Sequence, residues 1–283
     1  MSKHAQEIAA GQRFEFGKNW SRFLSTLNRD RIRAAEVSLL GMLRCTHLEG
    51  KSFLDIGCGS GLFSLAAKRL GARVHSFDYD PQSVACARQL KSRFFPQDGN
   101  WVVEEGSVLD LEYVQSLGRF DVVYAWGVLH HTGDMWKALD NAQFAVNDGG
   151  ALFIAIYNDV GGTSRFWRKV KRLYCSGLPG RVFVVGVFLP YFAGRNLAKD
   201  LLRLRNPWRR YAEYKKNRGM SMLHDWNDWF GGYPYEVAKA EELLGFYRER
   251  GFFLQEMKTV RGIGNNQFVF KRAAREQRSR AVA

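Results

Sequence analysis

The sequence predicts an α/β protein: a seven-stranded, mostly parallel sheet with helices on both faces, an antiparallel terminal hairpin, and a helical insertion after the fifth strand. Three observations predict it. Between residues 52 and 157 short apolar runs alternate with stretches of helical spacing. A turn with three glycines joins the first strand to the first helix of that series. After a basic, aromatic stretch over 158–235, the chain returns to helix, strand, turn and strand.

In order, "SFLDIG" from residue 52 is a short apolar strand, and "GLFSLAAKRLG" has the spacing of a helix that stops at Gly71. "RVHSFDYD" is the second strand, followed by the helix "DPQSVACARQLKSRF" with Pro81 preset for its first turn. Then come the strand "WVVEEGS", the helix "LEYVQSLG", the strand "FDVVYAWG", the helix "MWKALDNAQFAV" and the strand "GGALFIAIYN". Such alternation builds a parallel sheet, whose ligands sit at the carboxyl ends of the strands. The last elements are the helix "EVAKAEELLGFYRERG", the strand "FFLQEMKTV", the turn "RGIGNN" and the strand "QFVFKR". The expected organisation is a helical, aromatic cap over 1–50, a ligand-binding core over 51–157, the basic insertion over 158–235, the last helix and hairpin over 236–272, and a flexible polar tail over 273–283.

Bulk properties narrow the class. With 46% hydrophobic and 14% aromatic residues the chain folds rather than remaining disordered. Its four cysteines, Cys45, Cys58, Cys86 and Cys175, are scattered without a CxxC pair, which suggests neither a zinc site nor a disulfide framework. The start "MSKHAQEIAAGQRFEFG" lacks the apolar core of a signal peptide, and the longest apolar run, "VFVVGVFLPYFAG" over 182–194, falls short of the roughly 20 residues of a spanning helix. A cytoplasmic location is expected. The net charge of +14 invites an anionic partner, and its distribution is uneven: residues 157–235 hold 15 Lys or Arg against 5 Asp or Glu.

In "DIGCGSG", residues 55–61, three glycines allow a tight turn and the close approach of a ligand that a Cβ would obstruct. The turn has neither the spacing nor the lysine of a phosphate loop, and its GxGxG spacing is not the GxGxxG of a dinucleotide fingerprint. It does match the E/DxGxGxG motif, and here the chain resembles the class I S-adenosylmethionine-dependent methyltransferases, whose fold is Rossmann-like, with the small-molecule group that includes quinone-ring O-methyltransferases the nearest in character. The resemblance spans about 53–157 together with the last helix and hairpin. It implies that Asp55, Gly57, Cys58, Gly59 and Gly61 border the methionine part of the cofactor, that Asp78 (rather than Asp80) binds ribose, and that Tyr79 lies beside adenine. Ser107 and Val108 would bracket the adenine ring, although many relatives carry Asp at the position of Ser107; Ala125 and Trp126 would lie beside the sulfonium. "RFEFGKNWSRF", residues 13–23, resembles the FGxxW segment that some of these enzymes fold over the cofactor, which places Arg13, Phe16 and Trp20 at the site, with Arg13 or Lys18 near the cofactor carboxylate. The same spacing of Phe16, Trp20 and Phe23 also suits a helix packed on the sheet.

A sulfonium brings its own activation, so a base is required only where the acceptor must shed a proton. "VLHHTGD" sets His130 and His131 just beyond strand four, and histidine is the usual base for a hydroxyl. His130 is the first candidate and His131 the second, with capping or packing as the alternative for both. Tyr157 and Asn158 follow strand five on the same edge, Tyr157 as a further catalytic candidate and Asn158 as a substrate contact, with ordinary turn chemistry as the alternative. If strand six runs parallel to the rest, the turn after it brings Asn266 to the same mouth.

The insertion allows a lid over a hydrophobic or acidic small substrate, docking to an anionic membrane surface, RNA binding, or a plain solvated helical pair. Its densest polar-aromatic stretch, "HDWNDWFGGYPYE", offers His224, Tyr233 and Tyr235 as substrate contacts, with Asp225 and Asp228 nearby; no metal is expected, because nothing elsewhere completes a ligand set. The expected protein is a monomeric or homodimeric methyltransferase using S-adenosylmethionine on a small or lipid-like acceptor, more readily at oxygen than at nitrogen or carbon. A tRNA or rRNA methyltransferase and a non-catalytic cofactor-binding partner are the alternatives.

Overall fold

Strands apolar along their whole length cannot face water on either side, and the sheet is accordingly covered by helices on both faces. The computed structural model describes residues 3–202 and 229–274. Three helices, α1 (Lys3–Ala9), α2 (Gly17–Ser25) and α3 (Arg29–Leu43), precede the sheet. The alternating series follows as β1 (Ser52–Ile56), α4 (Leu62–Arg69), β2 (Arg73–Asp78), α5 (Pro81–Phe94), β3 (Trp101–Glu105), α6 (Leu111–Ser116), β4 (Phe120–Trp126), a short 3-10 turn (Leu129–His131), α7 (Met135–Phe144) and β5 (Val146–Tyr157). The insertion supplies α8 (Gly162–Cys175) and α9 (Leu178–Leu202), and the described chain ends with α10 (Ala240–Glu249), β6 (Phe252–Lys258) and β7 (Asn265–Arg272).

The seven strands lie in the order β3-β2-β1-β4-β5-β7-β6, and β7 is antiparallel to both of its neighbours. This is the Rossmann-like, mostly parallel sheet with an antiparallel terminal pair that the sequence leads one to expect. Strand β6 therefore runs with β1–β5, and the turn after it projects from the same carboxyl edge. Alternation along each strand divides the core in two. Leu54, Val123, Leu152 and Ile154 face α7 and α10, whereas Phe53, Val122, Tyr124 and Phe153 face α3 and α4. A third cluster joins Phe14 of the N-terminal segment to Trp167, Val170 and Tyr174 of α8, Val184 of α9, and Phe230 and Tyr235.

Two element boundaries differ from the sequence reading. Strand β5 begins at Val146, ahead of the expected Gly149, because Gly149 (φ +72°) and Gly150 sit within a bulge: Phe120 pairs with Val146, but Val122 pairs with Ala151. The last helix begins at Ala240 instead of Glu236. The Glu236 carboxylate accepts the N–H groups of Gly133 and Met135 (3.1 and 3.2 Å), Ala238 bridges Asn158, and Glu242 caps the new start by accepting the N–H of Lys239 at 2.7 Å.

Tyr247 fastens α10 to the sheet. It is fully buried, its ring meets Phe270 at 4.6 Å and Phe252 at 5.6 Å, and its hydroxyl donates to the carbonyl of Leu139 at 3.1 Å. Tyr247→Phe, which strands that carbonyl, is expected to cost about 1 kcal/mol. Tyr247→Ala, which leaves a cavity, is expected to cost about 3–5 kcal/mol, both read from urea unfolding midpoints.

Candidate active site

The carboxyl edge of the sheet carries a cavity of about 210 Å³. Its floor is the glycine turn. Gly57 (φ +67°) and Gly59 (φ +53°) hold left-handed backbone, and a Cβ on Gly57 would meet Val128 at 2.2 Å while one on Gly59 would meet the Trp20 ring at 2.9 Å. The N–H groups of Gly57 and Cys58 both donate to the carbonyl of Phe77, tying the turn to β2 (2.8 and 3.1 Å). Asp78, at the end of β2, completes the tie: one carboxylate oxygen accepts the N–H of Gly59 and the other that of Asp80, each at 2.9 Å. Burial outweighs these hydrogen bonds and pushes the Asp78 carboxyl up to about 6.

Asp55 stands behind the turn instead of on the cavity. Its carboxylate accepts from Ser64 at 2.5 Å, Ser64 accepts from Ser76 at 2.8 Å, and Ser76 accepts from the Trp101 indole at 3.0 Å. This chain of hydrogen bonds links β1, α4, β2 and β3 through the core. Desolvation pushes the Asp55 carboxyl up to about 7.

The N-terminal segment roofs the cavity. Gly17 donates its N–H to Asp80 at 2.7 Å, so Asp80, which also caps α5 through the N–H of Gln82, anchors α2, and the Trp20 ring lies on Gly59. Arg13 donates to the carbonyls of His131 (2.9 Å) and Thr132 (3.3 Å), pairs with Glu7 at 2.8 Å, and stands 5.0 Å over the Tyr79 ring, whose hydroxyl donates to Glu7 at 3.2 Å. Lys18 pairs with Glu15 on the surface, 61% exposed, away from the cavity. Lys3, His4 and Glu7 of α1 line the cavity, and nothing in "KHAQEIA" signals that: the helix is short, polar and without an apolar repeat.

Of the residues read from sequence, the structure brings Arg13, Phe16, Trp20, Gly57, Gly59, Asp78, Tyr79, Ser107, Val108, Trp126 and His131 to one cavity. Cys58 and Ala125 are buried beside it, and Gly61 caps α4 against α5. The two histidines part company. His131 lines the cavity, and because a carbonyl can only accept, its Nδ1–H donates to Pro234 at 2.6 Å, which leaves the lone pair on Nε2. Burial, with Lys171 and Arg13 nearby, holds its imidazole down at about 3, so the ring is neutral at physiological pH. His130 is fully buried with no hydrogen bond to either ring nitrogen, packed against His131 at 4.4 Å and Tyr157 at 4.1 Å, and burial holds it well below the ordinary histidine range.

The remaining candidates lie apart from this cavity. Tyr157 packs between His130 and Tyr235. Asn266 is buried and spends its amide on the hairpin, donating to Asn158 at 3.1 Å and accepting from the N–H of Val260 at 3.0 Å; Asn158 in turn donates to the carbonyl of Gly262. Tyr233 and Tyr235 line a separate cavity beside α8. His224, Asp225 and Asp228 lie outside the described residues.

Comparison with known proteins follows the same lines. Residues 23–240 match the family described as Methyltransferase domain. A ubiquinone biosynthesis O-methyltransferase of Methylobacterium sp. (strain 4-46) is 30% identical over 145 residues, 49% of this chain and 50% of that protein. Its namesake from Xanthomonas campestris pv. campestris (strain B100) is 37% identical over 111 residues, 39% of this chain and 45% of that protein. The chain thus matches about half the length of these curated relatives. Among solved structures, magnesium protoporphyrin IX methyltransferase from Synechocystis PCC 6803 with bound SAH superposes with a TM-score of 0.53 at 14% identity, covering 90% of this chain and 95% of that one. An O-methyltransferase family protein from Burkholderia thailandensis gives 0.51 at 14% identity over 86% of this chain and 55% of that one. At such identities the likeness is one of fold.

The Asp55 and Asp78 carboxyls make stability depend on pH. Asp55 and Asp78 titrate higher folded than unfolded, so their contribution is fully present below the ordinary value of 3.8 and is lost progressively as pH rises from there to about 6 for Asp78 and about 7 for Asp55. His130 and His131 titrate lower when folded and act in the opposite sense below their ordinary 6.5. The carboxyl effect is therefore read as a difference: relative to Asp55→Asn, the unmodified protein should lose unfolding free energy between about pH 4 and pH 7 and change little above that. Parallel urea-stability curves for the two proteins across that range would show that Asp55 ionises like an ordinary carboxylate.

Proposed function

The chain belongs to the methyltransferase-domain family, and on that premise we propose that it transfers a methyl group from S-adenosylmethionine to an oxygen of a small-molecule acceptor. The cofactor is S-adenosylmethionine, and the cavity residues suit it. Gly57 and Gly59 leave space that a Cβ would fill, Ser107 and Val108 follow β3 on the cavity wall, and Trp126, 39% exposed, presents an aromatic face to a cation. The observation that carries the reading is the Asp78 carboxylate, pinned by Gly59 at the cavity wall with lone pairs left for a pair of hydroxyls.

When bound, the cofactor supplies a methyl group already activated by a sulfonium. The protein's part is to orient, to exclude water and to take a proton. The cap residues Arg13, Phe16 and Trp20 line the cavity and limit the access of water to it. His131, aimed by its Nδ1–H bond to Pro234, receives the acceptor's hydroxyl proton on Nε2. An imidazole held so low is unprotonated across the physiological range, and the oxyanion developing beside it supplies the charge that raises its basicity. His130 supports His131 by packing.

A peripheral contact with an anionic membrane surface fits the insertion. Between Leu178 and Tyr191, α9 exposes Leu178, Val182, Phe183, Val187 and Tyr191, while Arg181 folds over Tyr174 and Arg195 over Phe192. On α8, Arg165, Lys169 and Arg172 share the outer face with Phe166 and Leu173, and Phe166 meets Phe188 of α9 at 6.1 Å. An apolar face bordered by cations is what an interfacial helix presents to anionic lipid. Among the described residues no helix is long and apolar enough to cross a membrane.

Calorimetry with S-adenosylhomocysteine tests the core reading: micromolar binding is expected, weakened by about 1–3 kcal/mol in Asp78→Ala, and absence of binding would remove it. With labelled cofactor and a catechol acceptor, His131→Ala should lower kcat by about 10²–10⁴ while leaving cofactor affinity nearly unchanged; equal loss in His130→Ala and His131→Ala would argue for a shared packing role. Co-sedimentation with phosphatidylcholine vesicles, with and without phosphatidylglycerol, tests the surface. Binding should require the anionic lipid and be lost in Phe183→Glu.

A further inference from the structure

The imidazole that faces the cofactor cavity is aimed by a stretch of chain from the far end of the insertion. Four backbone carbonyls between Gly231 and Tyr235 are taken by partners from other parts of the chain. Cys175 of α8 donates its thiol to Gly231 at 3.3 Å, Phe14 donates its N–H to Tyr233 at 2.9 Å, His131 donates its Nδ1–H to Pro234 at 2.6 Å, and Arg168 of α8 donates its Nε–H to Tyr235 at 3.0 Å. Further on, Ala238 donates its N–H to Tyr157 at 3.0 Å. Phe230 and Tyr235 are buried, and Gly231 lies on the Phe14 ring, which a Cβ would meet at 2.1 Å. A strap pinned so densely offers the Pro234 carbonyl as a fixed reference point.

The histidine side of that bond is looser by itself. His131 ends a 3-10 turn of three residues, and α7 begins only at Met135. Between them Gly133 holds left-handed backbone (φ +88°) against the Pro234 ring, and a glycine at such a joint lets the turn swing with little resistance. One side chain spans the joint. Glu236 accepts the N–H of Gly133 on one carboxylate oxygen (3.1 Å) and that of Met135 on the other (3.2 Å), and its own N–H donates to the carbonyl of His130 at 3.0 Å. The carboxylate thereby meets the first turn of α7, where free N–H groups favour a negative charge. Three bonds from one residue hold the backbone on both sides of His131, two positions along the chain from the carbonyl that orients its ring.

We propose that Glu236 is a positioning residue for the reaction: it locks the turn of His131 against residues 233–236, so that the imidazole Nδ1–H stays on Pro234 and the Nε2 lone pair stays on the cavity. The proposal rests on His131 as the proton acceptor and adds the residue that fixes its tautomer and direction. Glu236 does not line the cofactor cavity, and it acts through the bond between His131 and Pro234. An imidazole released from that bond exchanges its ring proton between its nitrogens, and in the other tautomer Nε2 carries a proton and cannot take one.

The test records the ring nitrogens of His131 by long-range proton–nitrogen NMR correlation in the full-length protein saturated with S-adenosylhomocysteine, with His131→Gln identifying the signal. The unmodified protein is expected to show one tautomer, protonated on Nδ1. Glu236→Ala should show both, and its kcat with labelled cofactor and catechol should fall about 10–100-fold while affinity for S-adenosylhomocysteine stays nearly unchanged. Glu236→Gln, which keeps one acceptor oxygen, should recover part of both losses, and it decides the matter if the alanine variant does not fold. Tyr247→Phe, a loss of one hydrogen bond on α10, should alter neither the tautomer nor kcat. The spectrum needs no acceptor, so it decides even where catechol is not turned over. A single Nδ1-protonated tautomer in the Glu236 variants, or full kcat in them, overturns this proposal alone. Turnover indifferent to His131→Ala overturns the assignment of the base and this proposal with it, and failure to bind S-adenosylhomocysteine overturns the methyltransferase reading beneath both.

Discussion

One half-buried carboxylate sets the geometry of the site. Asp78 accepts hydrogen bonds from Gly59 on the turn and from Asp80 on its own strand exit, so β1 and β2 cannot shift at their carboxyl ends without breaking charge-assisted bonds in a desolvated place. The parallel pairing of β1 with β2 brings the two ends together, but pairing alone leaves the turn free to move. The aspartate removes that freedom. It does so at the expense of its own ionisation, since burial makes the carboxylate costly, and its position at the cavity is the reason the cost persists.

Two acids two residues apart divide the labour. Asp78 fastens the floor, and Asp80 fastens the roof by holding the N–H of Gly17 while lying 3.8 Å from His4. Roof and floor thus hang from a single strand exit. Trp20 then closes the gap by lying where any Cβ on Gly59 would be, which makes the turn's glycine a packing requirement of the cap as well as a conformational one.

Much of this was legible in the amino-acid pattern. Strand and helix periods located every element of the sheet, and the glycine turn, Asp78 and the FGxxW segment pointed to one edge, because each depends on local spacing and on residues that the backbone itself demands. What pattern could not reveal was decided by partners distant in sequence. Which histidine faces the cavity depends on the carbonyl of Pro234, more than a hundred residues away. Asp55 looked like a ligand contact, yet Ser64 and Ser76 draw it into the core. Asn158 and Asn266 satisfy one another across the β5 and β7 pairing, a match visible only once the register is known. The helix start at Glu236 was misplaced because its carboxylate serves another helix. The polar helix α1 carries no apolar period, so sequence offered no reason to set Lys3, His4 and Glu7 at the site.

The stretch from Arg13 to Phe14 welds the roof to the rest of the molecule. Arg13 reaches the carbonyls of His131 and Thr132 and the carboxylate of Glu7, while the next ring along, Phe14, is sunk among Trp167, Tyr174 and Phe230. Raising the roof at this point would expose an aromatic ring as well as break polar bonds, so the hydrophobic core itself keeps the entrance in place.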